Sequence, residues 1–289
     1  MAIETVLRTI KQAVWLGWKV ETNWADPLVF AIYYLVKPIA SLLILGFMFL
    51  VGSGGAIISE PAKFAHSFAY TFIGSSFFIY AVQVMMTMTM LIHEDRAHYE
   101  VLKHIYLSPG SLSWYIVGRA LNGVMNATIS LLLTLGFGLL IFQVWLGISL
   151  PINWLGVDFG LLLTTLLLGI ACFMALGFLL CGINIMTSKV QFMLNEYVIG
   201  ILNLFGGVIF LPSLLPSWGQ AISSALPVTY FLNSIRFSFL HDNLSFDAAK
   251  NLLYLAVTMV ATVFIGMLVF RFAMYRARKE GLIDKKEEY

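Results

Sequence analysis

Six stretches of this chain, roughly 27–52, 66–92, 112–146, 155–187, 190–211 and 250–272, run for about twenty residues or more with almost no charge. The hydrocarbon core of a bilayer is about 30 Å thick, and a helix needs about 20 predominantly apolar residues to cross it. Inside lipid every backbone N–H and C=O must be satisfied within the segment or its neighbours, which restricts apolar runs of this length to helices. The composition agrees: 11% of residues are charged and 60% hydrophobic, where a soluble domain carries roughly 25% charged residues. The chain is therefore expected to be an all-α polytopic membrane protein with six transmembrane helices. The third and fourth runs are long enough to tilt or to project beyond the bilayer.

The net charge of +2 is too small to suggest a nucleic-acid partner, but its distribution is informative. With the N-terminus in the cytoplasm, the inside carries Arg8, Lys11, Lys19, Arg96, Lys103, Arg119, Lys189 and the six basic residues Arg271, Arg276, Arg278, Lys279, Lys285 and Lys286. The outside carries Lys63, Arg236 and Lys250, while Lys37 falls within the first span. Thirteen against three is a clear positive-inside asymmetry. Both termini are thus expected in the cytoplasm, with 273–289 a cytoplasmic tail and the plasma membrane as the location.

Residues 1–22 read differently. Ile3, Val6, Leu7, Ile10, Val14 and Trp18 recur at helical spacing, with Glu4, Arg8, Lys11 and Gln12 mainly opposite. Such an amphipathic helix lies in the membrane interface rather than across it. The region lacks a continuous apolar core with a cleavage site, so it is not read as a signal peptide.

The most polar internal stretch is "HEDRAHYEVLKHIYLSPG", 93–110, on the cytoplasmic side after the second span. At 100° per residue, Ala97, Val101, Leu102, Ile105 and Tyr106 share one arc, and Arg96, Tyr99, Glu100, Lys103 and His104 the opposite one. Glu94 falls on the apolar side. Pro109 and Gly110 end this short amphipathic helix.

Residues 206–247 are apolar, yet Pro212, Pro216 and Pro227 divide them into pieces too short to span. Broken backbone at membrane depth must be buried in protein or line a cavity. A re-entrant hairpin on the outer side satisfies this, and an ordinary interfacial loop is the plainer alternative.

Dedicated chemistry is scarce. His93, His98 and His104 do not share a helical face and no cysteine lies nearby, so no metal site is expected. Met85, Met86, Met88 and Met90 point around their helix rather than converging on copper. Cys172 and Cys181, nine residues apart, fall on opposite faces and should not pair. No H-E-x-x-H, G-x-S-x-G or G-x-x-x-x-G-K-[ST] motif is present. The chain is not expected to be an enzyme, and any nucleotide must be bound by another protein.

Two stretches carry a family likeness: the polar loop "HEDRAHYEVLKHIYLSPGSLSWYIVGR", and the run holding Gly206, Gly207, Phe210, Pro212, Pro216, Trp218, Leu226, Pro227 and Arg236. In both, and in its overall plan, the chain resembles the permease subunits of ATP-binding-cassette type-2 exporters. The resemblance implies one permease domain over 1–289, paired with a second copy or a paralogous permease in the lipid bilayer. It also implies a separate ATPase subunit that binds ATP and Mg, this chain holding no cofactor. The loop after the second span would be a coupling helix on that ATPase, through Glu94, Arg96, Tyr99, Glu100, Lys103 and His104. The second and fifth spans would line the substrate path, with Phe77, Met85, Met88, Asn195, Asn203 and Phe205 as candidates. The outer hairpin would close it, through Phe210, Pro212 and Pro216.

Aromatic and thioether walls with few fixed charges suit a hydrophobic or amphipathic cargo, drug- or lipid-like, ahead of a glycan. The rival reading is an ion- or proton-coupled secondary transporter, which places ionisable residues near the midplane. Lys37 is its one candidate there. A membrane enzyme ranks third, because no acid–base cluster is legible at a common depth.

Overall fold

The computed structural model describes residues 2–22, 26–55, 60–93, 112–145, 147, 156–186, 191–240 and 247–279. Among them are nine α-helices and no strand: α1 (Ala2–Thr22), α2 (Pro27–Gly52), α3 (Pro61–His93), α4 (Leu112–Trp145), α5 (Phe159–Met186), α6 (Gln191–Phe205), α7 (Ser217–Ala225), α8 (Pro227–Leu240) and α9 (Ala248–Lys279). Four contain stretches long and apolar enough to cross a membrane: Ala62–Leu91, Trp114–Val144, Phe159–Asn184 and Ala248–Ala277. Shorter apolar stretches, Ile39–Gly52 and Met193–Phe205, lie in α2 and α6.

Two boundaries differ from the sequence reading. The fifth expected span, 190–211, is a 15-residue helix ending at Phe205, about 22 Å long at 1.5 Å per residue. Gly207 follows with φ +70, a left-handed conformation that glycine adopts without steric penalty and that stops the helix. The last helix continues through Lys279, so the first part of the expected tail is helical. Arg271, Arg276 and Lys279 carry it past the apolar run.

Local signals explain most other boundaries. The Asp158 carboxylate accepts from Leu161 N at 3.0 Å and that of Asp247 from Lys250 N at 3.0 Å, capping α5 and α9. Pro27, Pro61 and Pro227 open α2, α3 and α8, where a missing N–H is harmless. Thr71, Thr89 and Thr134 donate to the carbonyl four residues back, which hides their hydroxyls among apolar neighbours.

Helix α3 is the central element, packed against α4, α5 and α8. Phe68 and Phe72 of α3 meet the Phe142 ring of α4 edge-on at 4.5 and 5.6 Å, and Phe173 of α5 meets Phe231 of α8 at 5.2 Å. Edge-to-face pairs of this kind add about 0.5–1.5 kcal/mol beyond area burial. Cys172 and Cys181 are both free and buried. Outward faces of α5 and α9 carry exposed Leu163, Leu167, Val257, Val260, Phe264 and Leu268, as lipid-facing helices do.

The proline-divided segment is built into the protein rather than laid on it. Val228, Phe231, Leu232 and Ile235 of α8 are fully buried. Asn251 of α9 donates to Tyr230 O at 2.8 Å and Ser234 Oγ at 2.6 Å, and Asp158 N donates to Ser238 O at 3.2 Å. The stretch from Ile209 through α7 lies at the surface, with Leu214 and Trp218 exposed.

Candidate functional site: a polar-lined cavity and the clamp beyond it

The N-terminal helix is fixed to the bundle by small residues. At Gly118 of α4 an added Cβ would lie 2.6 Å from Ala13 Cβ and 2.7 Å from Ile10 O. At Gly17 it would lie 2.9 Å from both Arg119 Nη1 and Asn122 Nδ2. Helices with such missing side chains approach backbone to backbone. The docked face of α1 thus runs through Ile10, Ala13 and Gly17, while Leu7 and Trp15 stay exposed.

That docking carries Glu21, at the end of α1, onto α4. Its carboxylate accepts from Asn122 Nδ2 at 3.0 Å and from Asn126 Nδ2. A carboxylate only accepts, so both amide nitrogens must face Glu21 and both amide oxygens must turn away. Among the described residues, Asn122 Oδ1 and Asn126 Oδ1 are buried without a protein donor, as are Gln83 Oε1 and Asn195 Oδ1. Four buried acceptors lacking donors in one region are unusual, since most buried polar atoms find a partner.

Beside this cluster is a cavity of about 480 Å³. Its apolar lining comes from Phe78, Ile79, Val82, Met86 and Met90 of α3 and Ile199 of α6; its polar lining is Glu21, Gln83, Thr87, Arg119 and Glu196. Arg119 is 4% exposed, while Glu196 is exposed. At 1.5 Å per residue, Arg119 lies about 10 Å and Asn126 about 21 Å along α4 from its start, and Gln83 about 15 Å before the end of α3. The polar groups therefore share the end of the bundle where α3 finishes and α4 begins. Glu21, Arg119 and Glu196 all border this cavity. These three come singly from α1, α4 and α6, and no local motif announces them.

The expected path residues divide. Phe77, Met85 and Met88 are at most 2% exposed and face into the subunit: Phe77 against Phe239 of α8 at 5.8 Å, Met85 and Met88 against Gly177 of α5. Their neighbours Phe78, Met86 and Met90 line the cavity instead, so the methionines do point around the helix. Asn195 is fully buried, its Nδ2 3.9 Å from Met90 Sδ. Asn203 and Phe205 are half-buried further along α6, and Phe205 meets Trp218 edge-on at 5.8 Å. Glu94, Arg96, Tyr99, Glu100, Lys103 and His104 lie outside the described residues, and nothing of the Lys37 side chain is described. Among the described residues no cluster of His, Cys, Asp or Glu could hold a metal.

At the far end of α6 the unwound segment after Phe205 is held by side chains. Arg236 of α8 is 3% exposed and donates to Gly207 O at 2.8 Å, Val208 O at 2.6 Å, Tyr70 O at 3.1 Å and Tyr70 Oη at 3.0 Å. Its guanidinium lies over the Tyr70 ring, 3.7 Å from the centroid, and a Cβ at Gly74 would collide with it. Thr71 Oγ1, which donates to Ser67 O at 3.0 Å, also lies 3.4 Å from the next carbonyl, Ile209 O. Two successive carbonyls, Gly207 O and Val208 O, are so satisfied by Arg236 of α8, as irregular backbone away from water requires. Pro212 packs on Gly207; Phe210 is half-buried and Pro216 exposed. A second cavity of about 340 Å³, bordered by Arg236, Tyr70, Gln220 and Ser223, lies beneath α7.

A family model described as ABC-2 type transporter matches residues 10–240. The chain belongs to the ABC-2 type transporter family. The match runs from the docked face of α1 to the end of α8, and so includes the cavity, the clamp and the proline-divided segment. The ABC-2 chain is a membrane-integral transport subunit, not itself catalytic. No curated protein matches it.

Proposed function

We propose that this ABC-2 chain is the permease subunit of an ATP-driven exporter that moves a hydrophobic or amphipathic molecule out of the cytoplasm. The observation that carries the reading is the cavity bordered by α1, α3, α4 and α6, whose lining is mostly apolar, with Phe78, Val82, Met86 and Ile199, and holds a few polar residues, Glu21, Gln83, Arg119 and Glu196. A site with an apolar body and a few fixed polar groups suits an amphipathic ligand, the apolar part setting affinity and the polar part orientation. With six spans and the N-terminus inside, this cavity lies at the cytoplasmic side, a reading supported by the excess of Lys and Arg in the segments then inside. Cargo enters there and follows α6 past Asn203 and Phe205 to the clamped segment, where Phe210, Pro212 and Pro216 close the outer exit. Phe77, Met85 and Met88 form the packed wall behind the path.

A second permease, a copy or a paralogue, covers the exposed stripe of Met193, Tyr197, Ile201 and Leu204 on α6. A separate ATPase holds ATP and Mg and docks on the 93–110 loop; the complex resides in the plasma membrane with both termini inside. The absence of a phosphate-loop motif supports that division of labour. The test is reconstitution with an ATP-binding-cassette ATPase subunit that co-purifies with it. ATP-dependent efflux of an amphipathic dye from liposomes is expected, with no nucleotide binding by the isolated permease. Specific ATP binding by the permease alone, or dye efflux driven by an ion gradient without ATP, would overturn the reading in favour of a secondary transporter.

A further inference from the structure

Helix α1 has two faces of different character. Its inner face follows α4: Ile10 and Ala13 meet Gly118, Gly17 meets Arg119 and Asn122, and Glu21 accepts from Asn122 and Asn126. The N-terminal end of α1 therefore lies nearer the start of α4, where the apolar stretch begins at Trp114 and the membrane surface is closest. The outer face holds a line at four-residue spacing, Leu7, Lys11, Trp15 and Lys19, all exposed. Residues so spaced are neighbours on a helix surface, so apolar and basic side chains alternate along one edge. Leu7 and Trp15 are 62% and 57% exposed, and an indole among lysines is the pattern of a bilayer interface. The Lys19 ammonium lies over the Trp15 ring, 4.9 Å from its centroid. That side chain thus leans back toward the N-terminal end of α1 and the membrane surface, as a snorkelling lysine does.

Arg8 is paired with Glu4 at 3.8 Å, whereas Lys11 and Lys19 make no ion pair among the described residues. The segments outside the described residues do not reverse this balance. Over 1–26, 93–119, 187–196 and 271–289 the chain holds thirteen Lys and Arg against eleven Asp and Glu, four of those acids in its last ten residues. With every side chain of this end counted, there is no surplus of acid to neutralise the two lysines. We propose that the outer face of α1 binds the headgroups of anionic phospholipids. Lys11 and Lys19 hold the headgroup from either side of Trp15, while Leu7 and the indole sink among the upper acyl carbons. A zwitterionic head brings its own ammonium, which competes with the lysines for the phosphate; a head of net negative charge does not. The proposal goes beyond the exporter reading and is independent of it, since it concerns the membrane around α1 and not the cargo.

The test uses the full chain in phosphatidylcholine liposomes, with a bimane fluorophore on Gln12→Cys. Gln12 is an exposed neighbour of Lys11, and Cys172 and Cys181 are buried, so the parent chain gives the labelling background. The quenchers are phosphatidylglycerol and phosphatidylcholine, each with a nitroxide high on one acyl chain. Half-maximal quenching should need a mole fraction at least about fivefold lower for phosphatidylglycerol, matching the roughly 1 kcal/mol of one lysine near an anionic surface. The preference should shrink in about 1 M salt, where the screening length falls to about 3 Å. Lys11→Gln with Lys19→Gln should bring the two quenchers to parity without weakening phosphatidylcholine, and Lys11→Arg with Lys19→Arg should keep the preference. Both positions are exposed, so either pair spares the fold. Equal quenching by the two lipids in the parent, or a preference that survives the glutamine pair, would overturn the proposal. Quenching by neither lipid would also overturn it, and would mark the outer face of α1 as covered by protein.

Discussion

Replacing Arg236 by methionine isolates the hydrogen bonds of the clamp, because it removes the charge and donors while keeping most of the volume. Two of the four acceptors lose their donor outright: Gly207 O and Val208 O, in the unwound segment. Tyr70 O lies inside α3 and keeps its own helical donor, and Tyr70 Oη can turn toward the adjoining cavity. An orphaned buried carbonyl costs about 1–3 kcal/mol, so two amount to roughly 2–6 kcal/mol. Burial of a guanidinium with no acid against it is itself unfavourable, and its removal offsets part of that loss. We therefore expect a net destabilisation of about 2–4 kcal/mol, confined at first to the segment after Phe205. The assay is thermal unfolding in detergent, paired with labelling of a cysteine placed at Ser213 by an impermeant maleimide. The variant should unfold at lower temperature and label faster. A second substitution sharpens the test. Gly74→Ala should be severe in the parent protein, where the new Cβ meets the guanidinium, and mild beside the flexible methionine; such non-additivity is the signature of direct contact. Parental stability and labelling in Arg236→Met, or simple additivity with Gly74→Ala, would refute the clamp.

Gly118→Val should push α1 off α4, since its Cβ would press on Ala13 and Ile10 O. Overpacking of this kind costs about 1–3 kcal/mol, and limited proteolysis of α1 would report the detachment. Charge reversal at Glu100 and Lys103 together should leave the permease inserted and folded but abolish cargo-stimulated ATPase in the complex, because like charges facing a partner cost several kcal/mol; full coupled activity would mean that the 93–110 loop is merely solvated. Glu21→Ala should free the amides of Asn122 and Asn126 and lower thermal stability by about 1–3 kcal/mol, whereas Glu21→Gln, which keeps one acceptor oxygen, should lose less.

Much of the fold was legible in the sequence because its causes are local. Apolar runs announce helices wherever backbone groups have no water, and three of the four longest end within a few residues of where the runs do. Pro212, Pro216 and Pro227 divide the outer segment at the points where the 3₁₀ turn, α7 and α8 begin, since proline fixes the backbone regardless of surroundings. The early end of α6 at Phe205 was not legible in this way, because the apolar run continues through the glycine pair to 211. Other features depend on which face of a helix is turned inward, and α3 is apolar all round. Its sequence could not say that Met85 and Met88 pack against α5 while Met86 and Met90 border a cavity. Nor could it bring Glu21, Gln83, Arg119 and Glu196 together. Each is a single polar residue in its own element, and each alone reads as an interfacial or snorkelling side chain. Their meeting depends on how closely α1 approaches α4 at Gly118 and on the rotation of α3 and α6. Those are set by packing over the whole bundle, through contacts between residues far apart in the chain, and so only the tertiary structure decided them.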